Sequence, residues 1–190
     1  GKTVAFGNSP EERILDLTLA PPPVTVTASG RRAIELAGEV GDGAHMLIGT
    51  NPSIIKAAWR HLENGAQKSG RSLKDFPVMY TAATVINDDL DAAREQVRGV
   101  IFRWLTQGLF NVGIKELGIE IPPVEKPSDI PKDLLAQLSD NFLLVGSAQA
   151  CVQQLQKLAD DAGVDHVGCI IFGGMEQTRI FAREVMPHVT

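Results

Sequence analysis

Pro23-Val24-Thr25-Val26-Thr27-Ala28-Ser29-Gly30 runs into Arg31–Val40 and then into Gly41-Asp42-Gly43. Pro21-Pro22-Pro23 cannot be helix, and the β-branched run behind it reads as a strand. Ser29-Gly30 turns the chain. Ala33, Ile34, Leu36, Ala37 and Val40 then fall on one helical face, and Gly41-Asp42-Gly43 ends the helix. A strand, a tight turn and an amphipathic helix therefore follow one another within a short span. The same unit recurs along the chain.

Ala44–Ile48 reads as the next strand. Gly49-Thr50-Asn51-Pro52 is a turn with a helix start built in, because Asn51 suits the N-cap and Pro52 the first helical position. That helix runs to about Ser69 and Gly70 closes it. Phe76–Ile86 is a third strand, rich in Val and Thr. Asn87 is expected to cap a long helix carrying Asp88 and Asp89 in its first turn, where the helix dipole favours them. Residues 118–131, with Pro122, Pro123, Pro127 and Pro131, read as a loop excursion. A short helix over Lys132–Ser139 follows. Ser147 caps a further helix that Gly163 stops, and Val164–Phe172 is the fourth strand. Gly173-Gly174 turns into a last helix ending before Pro187.

Apolar strands alternating with helices indicate a parallel sheet with crossover helices. Four such βα units are too few for a closed eight-stranded barrel. They fit a small doubly wound sheet or half a barrel.

Composition narrows the function classes. The chain has 190 residues, 44% of them hydrophobic and 22% charged, which fits one globular domain. No apolar run approaches the ~20 residues of a membrane-spanning helix. Gly1-Lys2-Thr3 leads into no long apolar stretch of the signal-peptide kind. A first residue of Gly points to a removed tag or to a sequence that begins inside a longer one. The net charge of −5 argues against nucleic acid as partner. Cys151 and Cys169 make neither a disulfide framework nor a metal spacing, and fit a reducing, cytoplasmic setting.

Few residues offer chemistry. Ser29-Gly30 follows a strand and opens a helix, so its backbone N–H groups would point at an anion, and Gly30 would let a ligand approach closely. An ordinary strand–helix turn with a serine cap is the simpler reading. Arg31 and Arg32 would pair an anionic ligand, or lie as solvated surface. Tyr80, the only tyrosine, would line a ring pocket or the core. Gly173-Gly174 is a ligand approach or a tight turn. His45, His61, His166 and His188 lack ligand spacing, so no metal site is expected. His45 and His166 sit on predicted strands and would reach the same end of the sheet, with a structural role favoured for each. Neither a nucleophile elbow, a Walker loop nor a dinucleotide fingerprint is present.

The order of these units resembles the luciferase-like monooxygenases, a superfamily that includes bacterial luciferases and deazaflavin-dependent methylenetetrahydromethanopterin reductase. The resemblance is carried by Pro23–Gly30 and by Ala33–Gly43 with its Leu36-Ala37 and Asp42-Gly43. Val145-Gly146-Ser147, Ala162-Gly163-Val164-Asp165-His166 and Met186-Pro187 extend it. Together it spans about Pro21 to Pro187.

The resemblance implies a TIM barrel of which residues 1–190 form a single partial domain, equivalent to the C-terminal half. Residues 1–20 would be the tail of an insertion. It implies a flavin- or deazaflavin-dependent oxidoreductase, using FMN or coenzyme F420 on a small-molecule substrate. Ala28, Ser29, Gly30 and Arg31 would contact the cofactor and its phosphate, although Arg31 departs from the proline often found there. Gly49, Thr50 and Asn51 would face a substrate or phosphate pocket, or simply cap the helix. The usual acid/base residues belong to the other half, so no catalytic residue is assigned. Open sheet edges would be covered by a second copy or by the N-terminal half. The alternative is a non-catalytic half-barrel subunit that dimerises.

Overall fold

The computed structural model describes residues 2–5, 13–17 and 22–189. Strands β1 (Lys2–Ala5) and β2 (Arg13–Leu17) pair antiparallel. They lie in the stretch expected as an insertion tail, part of which falls outside the described residues. The main sheet is parallel and is built from β3 (Thr25–Ala28), β4 (Gly43–Met46), β5 (Val78–Ile86), β6 (Leu144–Gly146) and β7 (Val167–Ile171). The helices are α1 (Arg31–Val40), α2 (Pro52–Lys68), α3 (Leu90–Thr106), α4 (Asn111–Leu117), α5 (Lys132–Phe142), α6 (Ala148–Ala162) and α7 (Gly174–Ile180). The expected α/β alternation is present.

β5 organises the sheet. Tyr80 pairs with Met46 of β4 on one edge and with Val167 of β7 on the other. Thr84 pairs with Leu144 of β6 and with Ile171 of β7. A strand has only two edges, so β6 must share the β4 edge and continue that lane along the second half of β5. The lanes therefore run β3, β4 with β6, β5, β7. The short β6 and helix α4 were not anticipated. Three residues between helices carry too little pattern to read as a strand.

Several element ends also differ. Asp89, not Asn87, caps α3, accepting from Ala92 N at 3.0 Å, while Asn87 Oδ1 accepts from Asp89 N. α5 runs on to Phe142 rather than stopping at Ser139. Residues 118–131 contain one 3-10 turn, Pro127–Asp129. The last helix breaks at Ile180 into a π turn over Phe181–Val185 and a 3-10 turn over Met186–His188.

One face of the sheet is buried under helices. Ala28, Ala44, Met46, Val78 and Tyr80 lie there, each under 9% exposed. The alternate residues face the other way, and Thr27 and Ile170 remain exposed on that side. α1 and α2 meet backbone to backbone. A Cβ on Gly65 would land on the carbonyl oxygen of Glu35, and one on Gly38 on that of Leu62. This contact fixes how α1, and the turn before it, sits on the sheet.

Ala improves helix propensity over Gly by ~1 kcal/mol, yet Gly65→Ala must push α1 off α2. It should destabilise by roughly 3 kcal/mol, the upper end of overpacking costs. Gly99→Ala on α3, where a Cβ meets nothing within 4 Å, should instead stabilise by ~0.5–1 kcal/mol. Urea midpoints of the two variants check both signs.

Candidate functional site

The C-terminal ends of parallel strands in βα folds gather the loops that bind ligands. Here those loops are Ser29-Gly30 after β3, Leu47–Asn51 after β4, Asn87–Asp89 after β5 and Phe172-Gly173 after β7. Ala28 and Met46 pair in register, so the first two loops leave neighbouring strands at the same level.

The Ser29-Gly30 turn is built for access. Gly30 is the N-cap of α1 and has φ −99°, a conformation open to any residue. A Cβ there would meet nothing within 4 Å. Neither backbone geometry nor packing inside the described chain calls for glycine. α1 also lacks a side-chain cap and has no acidic residue in its first turn. By contrast Asn51, Asp89 and Ser147 cap α2, α3 and α6 with side-chain oxygens. The first-turn N–H groups of α1 are thus left for an outside acceptor or water. Serine does not cap this helix, contrary to the simpler expectation.

Arg31 turns away from this opening. Its Nε donates to Glu35 Oε1 at 2.8 Å, and Lys68 Nζ of α2 donates to Glu35 Oε2 at 2.8 Å. The hydrogen bonds from Lys68 and Arg31 hold the Glu35 carboxyl down at about 2. Arg32 is exposed.

Gly49, Thr50 and Asn51 are used internally. Gly49 has φ +125°, a region that favours glycine. A Cβ on it would press on Phe142 at 2.9 Å. Thr50 Oγ1 donates to Leu143 O at 3.0 Å and Thr50 N to Asn141 O at 3.0 Å. Asn51 Nδ2 donates to Asn141 Oδ1 at 2.7 Å while its Oδ1 accepts from Ser53 N at 2.8 Å. The triplet latches the β4–α2 turn to the end of α5. Nothing local in the sequence marks Asn141, Phe142 and Leu143 as partners of a turn some 90 residues away.

The remaining candidates divide. His45 Nε2 and Thr81 Oγ1 share a hydrogen bond between β4 and β5. His166 precedes β7, so it lies at the N-terminal end of the strands, opposite the loops above. Tyr80 is core, and burial pushes its phenol well up. Burial raises the Cys151 thiol to about 11 and that of Cys169 in the same direction, so neither is a nucleophile at neutral pH. Among the described residues no cluster of His, Cys, Asp or Glu suits a metal, and no helix is long and apolar enough to cross a membrane. A cavity of about 690 Å³ lies apart, between β7, α6 and the C-terminal turns.

A family model described as luciferase-like monooxygenase matches residues 4–166. The chain belongs to this family. It is 25% identical over 182 residues to 5,10-methylenetetrahydromethanopterin reductase of Methanopyrus kandleri, covering 87% of the chain and 50% of that protein. Among solved structures, an F420-dependent secondary alcohol dehydrogenase bound to an F420–acetone adduct matches at TM-score 0.64 and 19% identity, over all of the chain and 56% of its own. The FMN-bound oxygenating constituent of 3,6-diketocamphane monooxygenase from Pseudomonas putida matches at TM-score 0.50 and 18% identity, over 87% of the chain and 48% of its own. The chain thus spans about half the length of the curated relatives it matches, with the barrel-type fold of the family.

The depressed Glu35 carboxyl has a thermodynamic signature. Its folded value of about 2 lies below the ordinary 4.5, so its contribution to stability is complete above pH 4.5 and is lost as pH falls toward 2. Glu35→Gln should flatten the fall in urea midpoint over that window and leave only the slope of other carboxylates, such as Glu95 beside Arg98.

Proposed function

We propose that the chain supplies the C-terminal half of the cofactor-binding barrel of a flavin- or deazaflavin-dependent oxidoreductase, with FMN or coenzyme F420 as cofactor and a small molecule as substrate. The observation that carries this reading is the open Gly30 at an uncapped helix start, in a chain of this family. When bound, the cofactor supplies the hydride or oxygen chemistry.

The chain's own residues bind and orient. Ala28 anchors the end of β3 in the core, Ser29 and Gly30 form the turn, and the backbone N–H groups of Arg31 and its successors face the phosphate. Arg31 contributes its main chain while its side chain stays with Glu35. Gly49, Thr50 and Asn51 hold the neighbouring wall at fixed height by their bonds to Asn141 and Leu143. Acid/base residues come from outside this chain.

The same reading takes 1–190 as one partial-barrel domain with 118–131 as an excursion. Among the described residues the outer edges of β3 and β7 have no strand partner. Either a second copy or an N-terminal half covers them. Two free thiols and a net charge of −5 suit a cytoplasmic protein without a nucleic-acid partner.

The test is titration of purified protein with F420 or FMN, read by cofactor absorbance, alongside mass by light scattering. Binding by a species of twice 20.5 kDa is expected. Gly30→Ala should weaken that binding at least tenfold yet shift stability by no more than ~1 kcal/mol, since only the cap preference changes. Binding of neither cofactor overturns the reading for this chain and favours a non-catalytic half-barrel subunit.

A further inference from the structure

A second concave site lies on the helical layer. Arg31 of α1, Arg60 and His61 of α2, and Asn111, Lys115 and Glu116 of α4 surround a cleft of about 390 Å³. We propose that this cleft binds a phosphate-class oxyanion, held by Lys115 and Arg60 and completed by the protonated ring of His61.

The charge balance asks for an anion. The carboxylates within reach are already engaged. Glu35 is held by Arg31 and Lys68, and Glu116 accepts from Arg60 Nη2 at 2.8 Å. Lys115 forms no ion pair among the described residues. Cations from three helices line the cleft; Arg31 is paired with Glu35 and Arg60, through Nη2, with Glu116, so among the described residues Lys115 is the lining cation with no carboxylate of its own.

His61 reports that imbalance. Its Nδ1 is buried and has no hydrogen-bond partner, lying 3.9 Å from Glu35 Oε1, too far to bond. Burial lowers its pKa first, and Arg31, Arg60 and Lys115 lower it further against the opposing pull of Glu35. A ring pressed toward neutrality by surrounding cations gains a proton readily once a dianion neutralises them. The tight α1–α2 contact at Gly65 fixes the spacing of the two helices that carry Glu35 and His61, while the Lys115 and Arg60 side chains are exposed. None of this depends on a cofactor being bound.

The probe is inorganic phosphate at constant ionic strength set with chloride, followed by NMR titration of the His61 ring. Saturating phosphate should raise the His61 pKa by about one pH unit, the effect of an added opposite charge at close range. Lys115→Gln, an exposed position, should weaken phosphate binding at least fivefold, and Arg60→Gln should do the same. A His61 pKa that does not respond to phosphate overturns the proposal. So does a response that survives both substitutions, since it would then be a general salt effect. Repeating the titration with FMN separates the sources. A Lys115-dependent shift with FMN assigns the cofactor's phosphate to the cleft, and a shift with inorganic phosphate alone assigns a separate ligand. A full-strength cofactor titration in Lys115→Gln leaves the cofactor reading standing even where the cleft fails.

Discussion

Everything in the main sheet hangs on β5 having both edges occupied. It is the longest strand, and all but one of its residues are buried. β4 holds the start of one edge, β6 its end, and β7 the other edge. A one-residue slip would exchange Tyr80 and Thr81 between the two faces of the sheet, both of them buried along this strand. It would have to break pairing with three strands at once. The positions of the loops at the strand ends therefore inherit the rigidity of this one strand.

The second layer of constraint is backbone contact rather than side-chain bulk. Gly38 and Gly65 let α1 and α2 approach so closely that Glu35 reaches Lys68 across the pair. On the other flank Phe142 fills the space left by Gly49 and Gly113, and stacks against Phe110 with ring centroids 4.3 Å apart. Glycine and aromatic ring act as a matched pair there. One position gives up its side chain so that the other can bridge α5, α4 and the β4–α2 turn. The open turn at Gly30 differs from these packed glycines: like Gly99 it has neither a neighbour over it nor a positive φ, but it sits at an uncapped helix start beside the strand ends.

Local pattern made much of this visible. Pro21–Ala28, the Asn51-Pro52 start and the Ser147 and Gly163 caps mark their elements by residue chemistry that acts within a few positions. The half-barrel reading rests on the order of those units together with the family resemblance. What sequence could not carry was long-range. The occupation of Thr50 by Leu143, the sharing of one β5 edge by β4 and β6, and the Glu35–Lys68 bridge each join distant segments. Nothing in the residues themselves specifies the partner. The candidate site was therefore legible at Ser29-Gly30, whose geometry is local. It was only half legible at Gly49–Asn51, where capping could be read but the latch could not.

β7 carries a further consequence. Val167-Gly168-Cys169-Ile170-Ile171 is short, uncharged and β-prone, and Ile170 is 44% exposed. Along its outer edge the backbone donors and acceptors point where no strand of the described chain meets them. Such an edge offers backbone pairing to one further strand. An added strand on that edge would meet Ile170 on one of its faces, so pairing there would bring backbone hydrogen bonds and apolar burial together.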